Sequence, residues 1–331
     1  KTSQIVPFSM FDSEDPEDLW AFLARYEAQT GGRAIAPAHN GNTSNGLMFD
    51  GKDFKGKKIT KAYAEARMRF EPLYEVTQIK GDGETHPLLS PNDEFADYER
   101  WDVSNLSGTA PKEQWMLEYE YARSALKMGL KLGKELGVNP YKFGLIGTTD
   151  SHTALATSRE ENYFGKYQHT EPSPERHGRD VIPAEDPALR ILTAQEVASG
   201  LMAVWARENT RQELFDAMKR KEVYATTGTR IRVRVFGGWD FTADEVFHTD
   251  FVARGYLRGV PMGGDLRKAP DGKAPTFMIR SLRDPDGANL DRVQVIKGWL
   301  DDDGKTHERI YDVAVSGGRE IGEDGRAREP V

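Results

Sequence analysis

The sequence predicts an α/β fold followed by a smaller antiparallel β-rich domain, and three observations carry that prediction. Strand-sized apolar runs alternate with helix-period segments over residues 1–228, and period-two segments between Gly, Asp and Pro turns take over in 229–331. The length of 331 residues also leaves room for two domains of ordinary size. Alternation of the first kind implies a parallel sheet or barrel with helices outside.

In order along the chain, Leu19, Phe22, Leu23 and Tyr26 recur at helical spacing after acidic residues, predicting a helix from Asp15 to Thr30 that Gly31-Gly32 breaks. Residues 33–38 read as a short buried strand ending at His39-Asn40. A helix over Lys58 to Met68 and a strand over Leu73 to Ile79 follow, then a turn at Gly81-Asp-Gly83. Residues 81–111, rich in Pro, Gly, Asp and Ser, read as a long functional loop. Trp115, Tyr119, Ala122, Leu126 and Leu130 trace one face of a helix running to about Leu136. Phe143-Gly-Leu-Ile-Gly147 is a strand that delivers Thr148-Thr-Asp-Ser-His152. A second long loop, 153–188, precedes a strand over 200–206, a helix over 210–221 and a strand over 222–226. Strands at 231–236, 276–281, 292–296 and 309–314 then suggest a sandwich-like appendage.

Composition narrows the chemistry. With 53 acidic against 45 basic residues the net charge is −8, which argues against a nucleic-acid-binding surface. There is no cysteine, so disulfides, thiolate zinc sites, iron–sulfur clusters and a cysteine nucleophile are excluded together. Any metal must be held by His, Asp, Glu or Asn, and there are only seven histidines. No apolar run reaches the ~18 residues of a membrane span.

The sharpest local feature is Asp150-Ser-His152 at the end of an apolar strand. Residues two apart in an extended segment point the same way, so a carboxylate and an imidazole can enter one cavity. The pair reads either as metal ligands or as a polar strand end with His152 in water. Pro37-Ala-His39-Asn40 is a second histidine placed where a strand stops, and active sites of parallel α/β folds gather at such ends. Glu84 and His86, in the glycine-rich turn after the 73–79 strand, can coordinate, transfer protons or simply face solvent. His169, His177, His248 and His307 lie in polar loops and read as surface residues. No phosphate-binding P-loop, dinucleotide-binding glycine pattern or nucleophile elbow is present.

Taken together, Ala-His39-Asn, Thr-Asp150-Ser-His152 and the stretch Glu213-Leu-Phe-Asp-Ala-Met-Lys-Arg-Lys-Glu-Val-Tyr-Ala-Thr-Thr-Gly228 resemble the later half of a PHP (polymerase and histidinol phosphatase) metallohydrolase domain. Tyr74-Glu-Val-Thr-Gln-Ile-Lys-Gly81, Thr149-Asp-Ser-His-Thr-Ala-Leu155 and Ala203-Val-Trp-Ala-Arg-Glu-Asn-Thr-Arg211 resemble, more closely, a large, mostly bacterial PHP-like family of unknown function. The resemblance implies a distorted (β/α)7 TIM-like barrel, of which this chain carries the later strands. It also implies divalent metal ions (zinc, manganese or iron) at the strand ends, with His39, Asp150 and His152 as ligands and as catalytic residues. The activity implied is hydrolysis of a small phosphate ester by metal-activated water.

In that reading Arg159, nine residues after Asp150, and Arg230 are candidates for a clamp on the developing charge, each also readable as a surface arginine. Asn40 orients substrate or caps its loop, and Glu84 and His86 complete the candidate substrate-binding set. The H-x-H that opens the superfamily's first strand is missing here, and the chain begins at Lys1 rather than Met. It therefore reads as a fragment, whose missing donors a separate N-terminal piece of the same protein would supply. The resemblance further implies an exported protein, periplasmic or secreted, rather than a cytoplasmic one. The competing expectation is a non-catalytic module on a degenerate barrel that binds carbohydrate or protein, with Trp239 and Trp299 of the appendage read either as contacts or, by default, as packed core.

Overall fold

A computed structural model describes residues 5–154, 160–267 and 269–329. Helix α1 (Pro16–Thr30) starts where the Asp15 side chain accepts the Glu17 N–H at 3.0 Å, with Pro16 in the first turn. It stops at Gly31, whose φ of 67° only glycine adopts without strain. Its buried Trp20 packs with Ile59, Tyr63 and Phe70, the last two on helix α2 (Lys61–Phe70), and the indole N–H donates to Glu71 at 2.9 Å. A second core cluster joins Phe49, Tyr74, Val76, Ala122, Ala125 and Tyr141. It lies beneath strand β1 (Leu73–Gln78) and helix α3 (Ala122–Leu136).

Strand β1 is buried along nearly its whole length, as a strand covered on both faces should be. It pairs in parallel with β3 (Gly144–Gly147), and on its other side Ala38 bridges to Tyr74, also in parallel. The two-residue β2 (Gly81–Asp82) folds back antiparallel on β1. Residues 33–38, expected as a strand, contribute only that single bridge.

The barrel expected for residues 1–228 is not formed: among the described residues the sheets hold two or three strands, and none closes. The reason lies in strand direction. Strands β6 (Gly200–Val204) and β7 (Val223–Thr227) flank helix α4 (Arg211–Lys219), the arrangement that normally returns a parallel strand, yet they pair antiparallel. The parallel set ends there. β6 meets β3 through two glycines: a Cβ on Gly147 would sit 3.0 Å from the Leu201 nitrogen, and one on Gly200 would sit 2.9 Å from the Gly147 Cα. That close approach lets Gly200 donate to the Thr148 carbonyl at 2.8 Å. Of the loop at 153–188, the described part carries β4 (Asp180–Ile182), which pairs with β5 (Ile191–Leu192) just beyond it. The hairpin packs on Trp101 of the 81–111 loop.

The helix expected from Trp115 begins later. Gln114–Tyr119 is a 3₁₀ turn, and the chain breaks at Glu120 before α3. The Glu120 carboxylate is fully buried and accepts the Lys112 ammonium at 2.6 Å and the Gly46 N–H at 2.9 Å, so it anchors two loops instead of joining a helix face.

Beyond Thr229, β8 (Arg232–Gly238), β9 (Gly259–Pro261) and β10 (Thr276–Leu282) form an antiparallel sheet in the order β10-β8-β9. Helix α5 (Phe251–Arg258) closes its core of Phe236, Phe241, Phe251 and Met278. Among the described residues, strands β11 (Arg292–Leu300) and β12 (Thr306–Val315) pair only with each other. A sandwich would lay this hairpin on the preceding sheet; instead it packs on α3. Glu308 of β12 accepts from Ser90 Oγ at 2.6 Å and pairs with Lys127 at 3.3 Å.

Asp82 in β2 makes the fold's pH dependence testable. Burial first, and the neighbouring Glu84 second, push its carboxyl up to about 8, despite a hydrogen bond from the Glu84 N–H at 2.8 Å. An unfolded aspartate titrates near ~4, so between that value and about 8 the native state holds a proton that the unfolded chain has lost. This group's contribution to stability therefore falls as pH rises through that window. The expected result is that Asp82→Asn raises the melting temperature, by more at pH 8 than at pH 5; equal shifts at both values would remove the basis for it.

Candidate active site at the ends of strands β1 and β3

Thr148 follows β3, and its N–H donates to the Thr77 carbonyl at 3.1 Å, which keeps the two strand ends level. Its hydroxyl donates to Glu75 in a short contact. The other Glu75 oxygen accepts from Gln78 Nε2 at 2.7 Å, and the same amide donates to Asn40 Oδ1 at 2.9 Å. Asn40, Gln78, Glu75 and Thr148 thus form one polar chain across three neighbouring segments. Asn40 holds φ at 60°, a conformation asparagine tolerates better than most residues, so the side chain expected to orient substrate is committed to fixing the rim.

Asp150 adopts φ of 50°, which turns the chain inward. Two buried lysines, Lys80 and Lys166, ion-pair with its carboxylate. Lys80 also donates to Gln78 Oε1 at 2.8 Å, and Lys166 to the Asp150 carbonyl at 2.7 Å. The other carboxylate oxygen faces His152 Nε2 at 3.0 Å. Burial, and then the neighbouring Lys166, pull the Lys80 ammonium down to about 6, and burial lowers Lys166 as well. His152 is lowered by burial, then by Lys166, Lys80 and His39. Its side chain is nevertheless half-exposed, at 53%, with its edge against the Tyr167 ring at 4.9 Å. Gly165, at φ of 134° and with its Cβ direction blocked by the Thr170 carbonyl, sets the turn that presents Lys166.

Of the three expected metal ligands, Asp150 and His152 come together, and His39, exposed on the rim, is near enough to influence His152. Two imidazoles and a carboxylate are suitable donors for a divalent ion. As they stand, though, both Asp150 oxygens and the His152 Nε2 are engaged with one another or with ammonium groups. Among the described residues no cluster of three His, Asp or Glu side chains is arranged to hold a metal. The donors in this arrangement do not fit a metal ion.

One family model, described as a protein of unknown function (DUF3604), matches residues 1–331. The chain belongs to that family. No curated protein and no solved structure matches it. No helix among the described residues is long and apolar enough to cross a membrane.

The remaining expected residues lie elsewhere or have other partners. Glu84 accepts from Arg123 Nε at 2.8 Å in the network beneath the β11–β12 hairpin. His86 is buried, with Nε2 3.2 Å from Asp102 and Nδ1 accepting the Leu88 N–H at 3.1 Å. Arg230 donates its backbone N–H to Asp284 at 2.6 Å and lines a separate cleft. Arg159 lies outside the described residues. Trp299 stacks on His307 at 5.1 Å within its own hairpin. Sequence reasoning did not assign Lys166, Glu75 or Glu196 to a site. Lysines and glutamates abound in this chain, and only Gly165 immediately before Lys166 marks that turn as unusual.

Proposed function

We propose that this chain is a hydrolase acting on anionic esters, phosphate esters first among them, with His152 as its acid–base group. The observation that carries the reading is a half-exposed, neutral imidazole held by Asp150 at the end of β3, beside two lysines. Asp150 Oδ1 can only accept, so Nε2 carries the proton and Nδ1 keeps its lone pair. Nδ1 would take a proton from water as the water oxygen bonds to phosphorus. The same proton would return to the ester oxygen as the old P–O bond breaks. Where both lysines are protonated, their charge exceeds that of the one carboxylate they share and favours an anionic group at this rim. No step of this reading passes through a metal.

The competing form of the same proposal is the multinuclear metal centre that the PHP resemblance implies. Turnover of a phosphomonoester panel, measured in chelator and again with added zinc, manganese or iron, separates the two. His152→Ala is expected to lower kcat by about 10²–10⁴ with or without chelator. Activity that depends on added metal would favour the metal-based form, and activity indifferent to His152 would overturn both.

A further inference from the structure

We infer that the free edge of β10 is a dimerisation surface, which pairs antiparallel with the same edge of a second copy of this chain. Among the described residues β10 has only β8 beside it. The direction of its backbone groups follows from one bond. The Val235 carbonyl accepts the Met262 N–H at 3.0 Å, so Val233, Val235 and Gly237 turn their backbone groups toward β9, and the residues between them turn theirs toward β10. Opposite Arg232, Arg234, Phe236 and Gly238 stand Leu282, Arg280, Met278 and Thr276. Phe277, Ile279 and Ser281 therefore aim three N–H and three C=O groups away from β8. Edges of this kind are ordinarily blunted by brevity, proline or charge. The strand on the opposite side of the sheet, β9, is three residues long and ends in Pro261. By contrast β10 has seven residues and no proline, and its one charged side chain is turned back into its own domain. Arg280 donates to the Val246 and His248 carbonyls at 2.6 and 2.7 Å and lies over the Phe251 ring at 4.4 Å.

What fits this edge is the edge itself. The three outward residues are spaced evenly about Ile279, so a two-fold axis there sets Ile279 against Ile279 and Phe277 against Ser281 of the other copy. Every outward N–H then meets an outward C=O, with none left over. Phe277, 56% exposed, faces a small serine and lies diagonal to an isoleucine across the seam. On the other face of the sheet, the two carbonyls held by Arg280 flank Phe247, which is 84% exposed, so a second bare ring stands beside the same edge. Two paired strands bury less than the ~1,200 Å² of a standard interface, and these rings extend it, which fits a dimer of micromolar rather than nanomolar affinity. A flexible peptide added to this edge would have to be ordered as it bound, whereas the second β10 is already a strand. Pairing uses up the edge on both copies, so assembly closes at two.

The test is sedimentation velocity on the intact chain over about 1–200 μM, with amide hydrogen exchange in β10 followed at both ends of that range. The dimer fraction is expected to rise with concentration, and exchange at Phe277, Ile279 and Ser281 to slow as it does. Ile279→Pro removes no hydrogen bond within the sheet, because that N–H faces outward, and should raise the dissociation constant by about tenfold or more. Phe277→Lys, at a half-exposed position, should weaken the dimer as well by placing a charge in the seam. Circular dichroism checks that both variants fold, and if the proline variant does not, the lysine variant decides. His152→Ala should leave the dimer intact, so this result and the hydrolase assay stand or fall separately. A chain that stays monomeric throughout, a dimer that both folded variants leave unchanged, or exchange in β10 that is indifferent to dimerisation would each overturn the inference.

Discussion

Asp150→Ala is expected to cost about 3–5 kcal/mol of folding stability, the usual penalty for stripping one partner from a buried ion pair. Lys80 and Lys166 are both almost wholly inaccessible, and the carboxylate between them is their shared counter-charge. Without it, two amines must be buried as unpaired cations or give up their protons. Giving up protons is easier at high pH, so the loss should be larger at pH 5.5 than at pH 9. Urea unfolding at both values measures it. The double variant with Lys80→Met should recover part of the loss, because one stranded amine is gone. A single variant as stable as the parent at pH 5.5 would contradict the ion triad.

Phe49→Ala is expected to be comparably severe, at about 3–5 kcal/mol. Phe49 is fully buried, its ring centroid 5.1 Å from Tyr74, 5.3 Å from Tyr141 and 5.7 Å from Phe143. Arg67 stands over its ring at 5.6 Å. Truncation leaves a cavity among aromatic rings that cannot collapse without moving β1, the strand that carries Glu75 and Gln78. A drop in melting temperature accompanied by weakened turnover at His152 would tie this core to the site; a fall below 1 kcal/mol would show that the rings can repack.

Local signals identified most of the elements, and their limits are specific. The span of α1 and its stop at Gly31 were legible because both signals act within a few residues, whereas Trp20, its buried residue, lay outside the face read from Leu19, Phe22, Leu23 and Tyr26. The β1 and β3 segments were legible as apolar runs. Direction was not: nothing in 200–204 or 223–227 reveals that they pair antiparallel across α4, because periodicity reports which face is buried and not which neighbour is met. The place of the β11–β12 hairpin was hidden for the same reason, since Glu308 and Arg123 carry no mark of each other in the sequence.

At the site, Asp150 and His152 could be read together because they sit two apart on one strand end. Asn40 and Gln78 meet only through the register between Ala38 and β1. Lys166 arrives from an irregular segment, where no period exists to project a side chain. The metal centre was inferred from ligands placed at strand ends and from a family resemblance, and neither reports that ammonium groups face the same carboxylate.

The hairpin's attachment to α3 also sets an order of events during biosynthesis. Ser90 and Glu308 are 218 residues apart, so the surface formed by Ser90, Arg123 and Lys127 emerges from the ribosome long before its partner. At ordinary elongation rates that interval is roughly 10–40 s, far longer than helix or hairpin formation requires. Through that time Arg123 has Glu84 and Asp93 as partners within the first region, while Lys127 waits for Glu308. The hairpin's docking is a long-range closure, which pays its loop entropy before its contacts form.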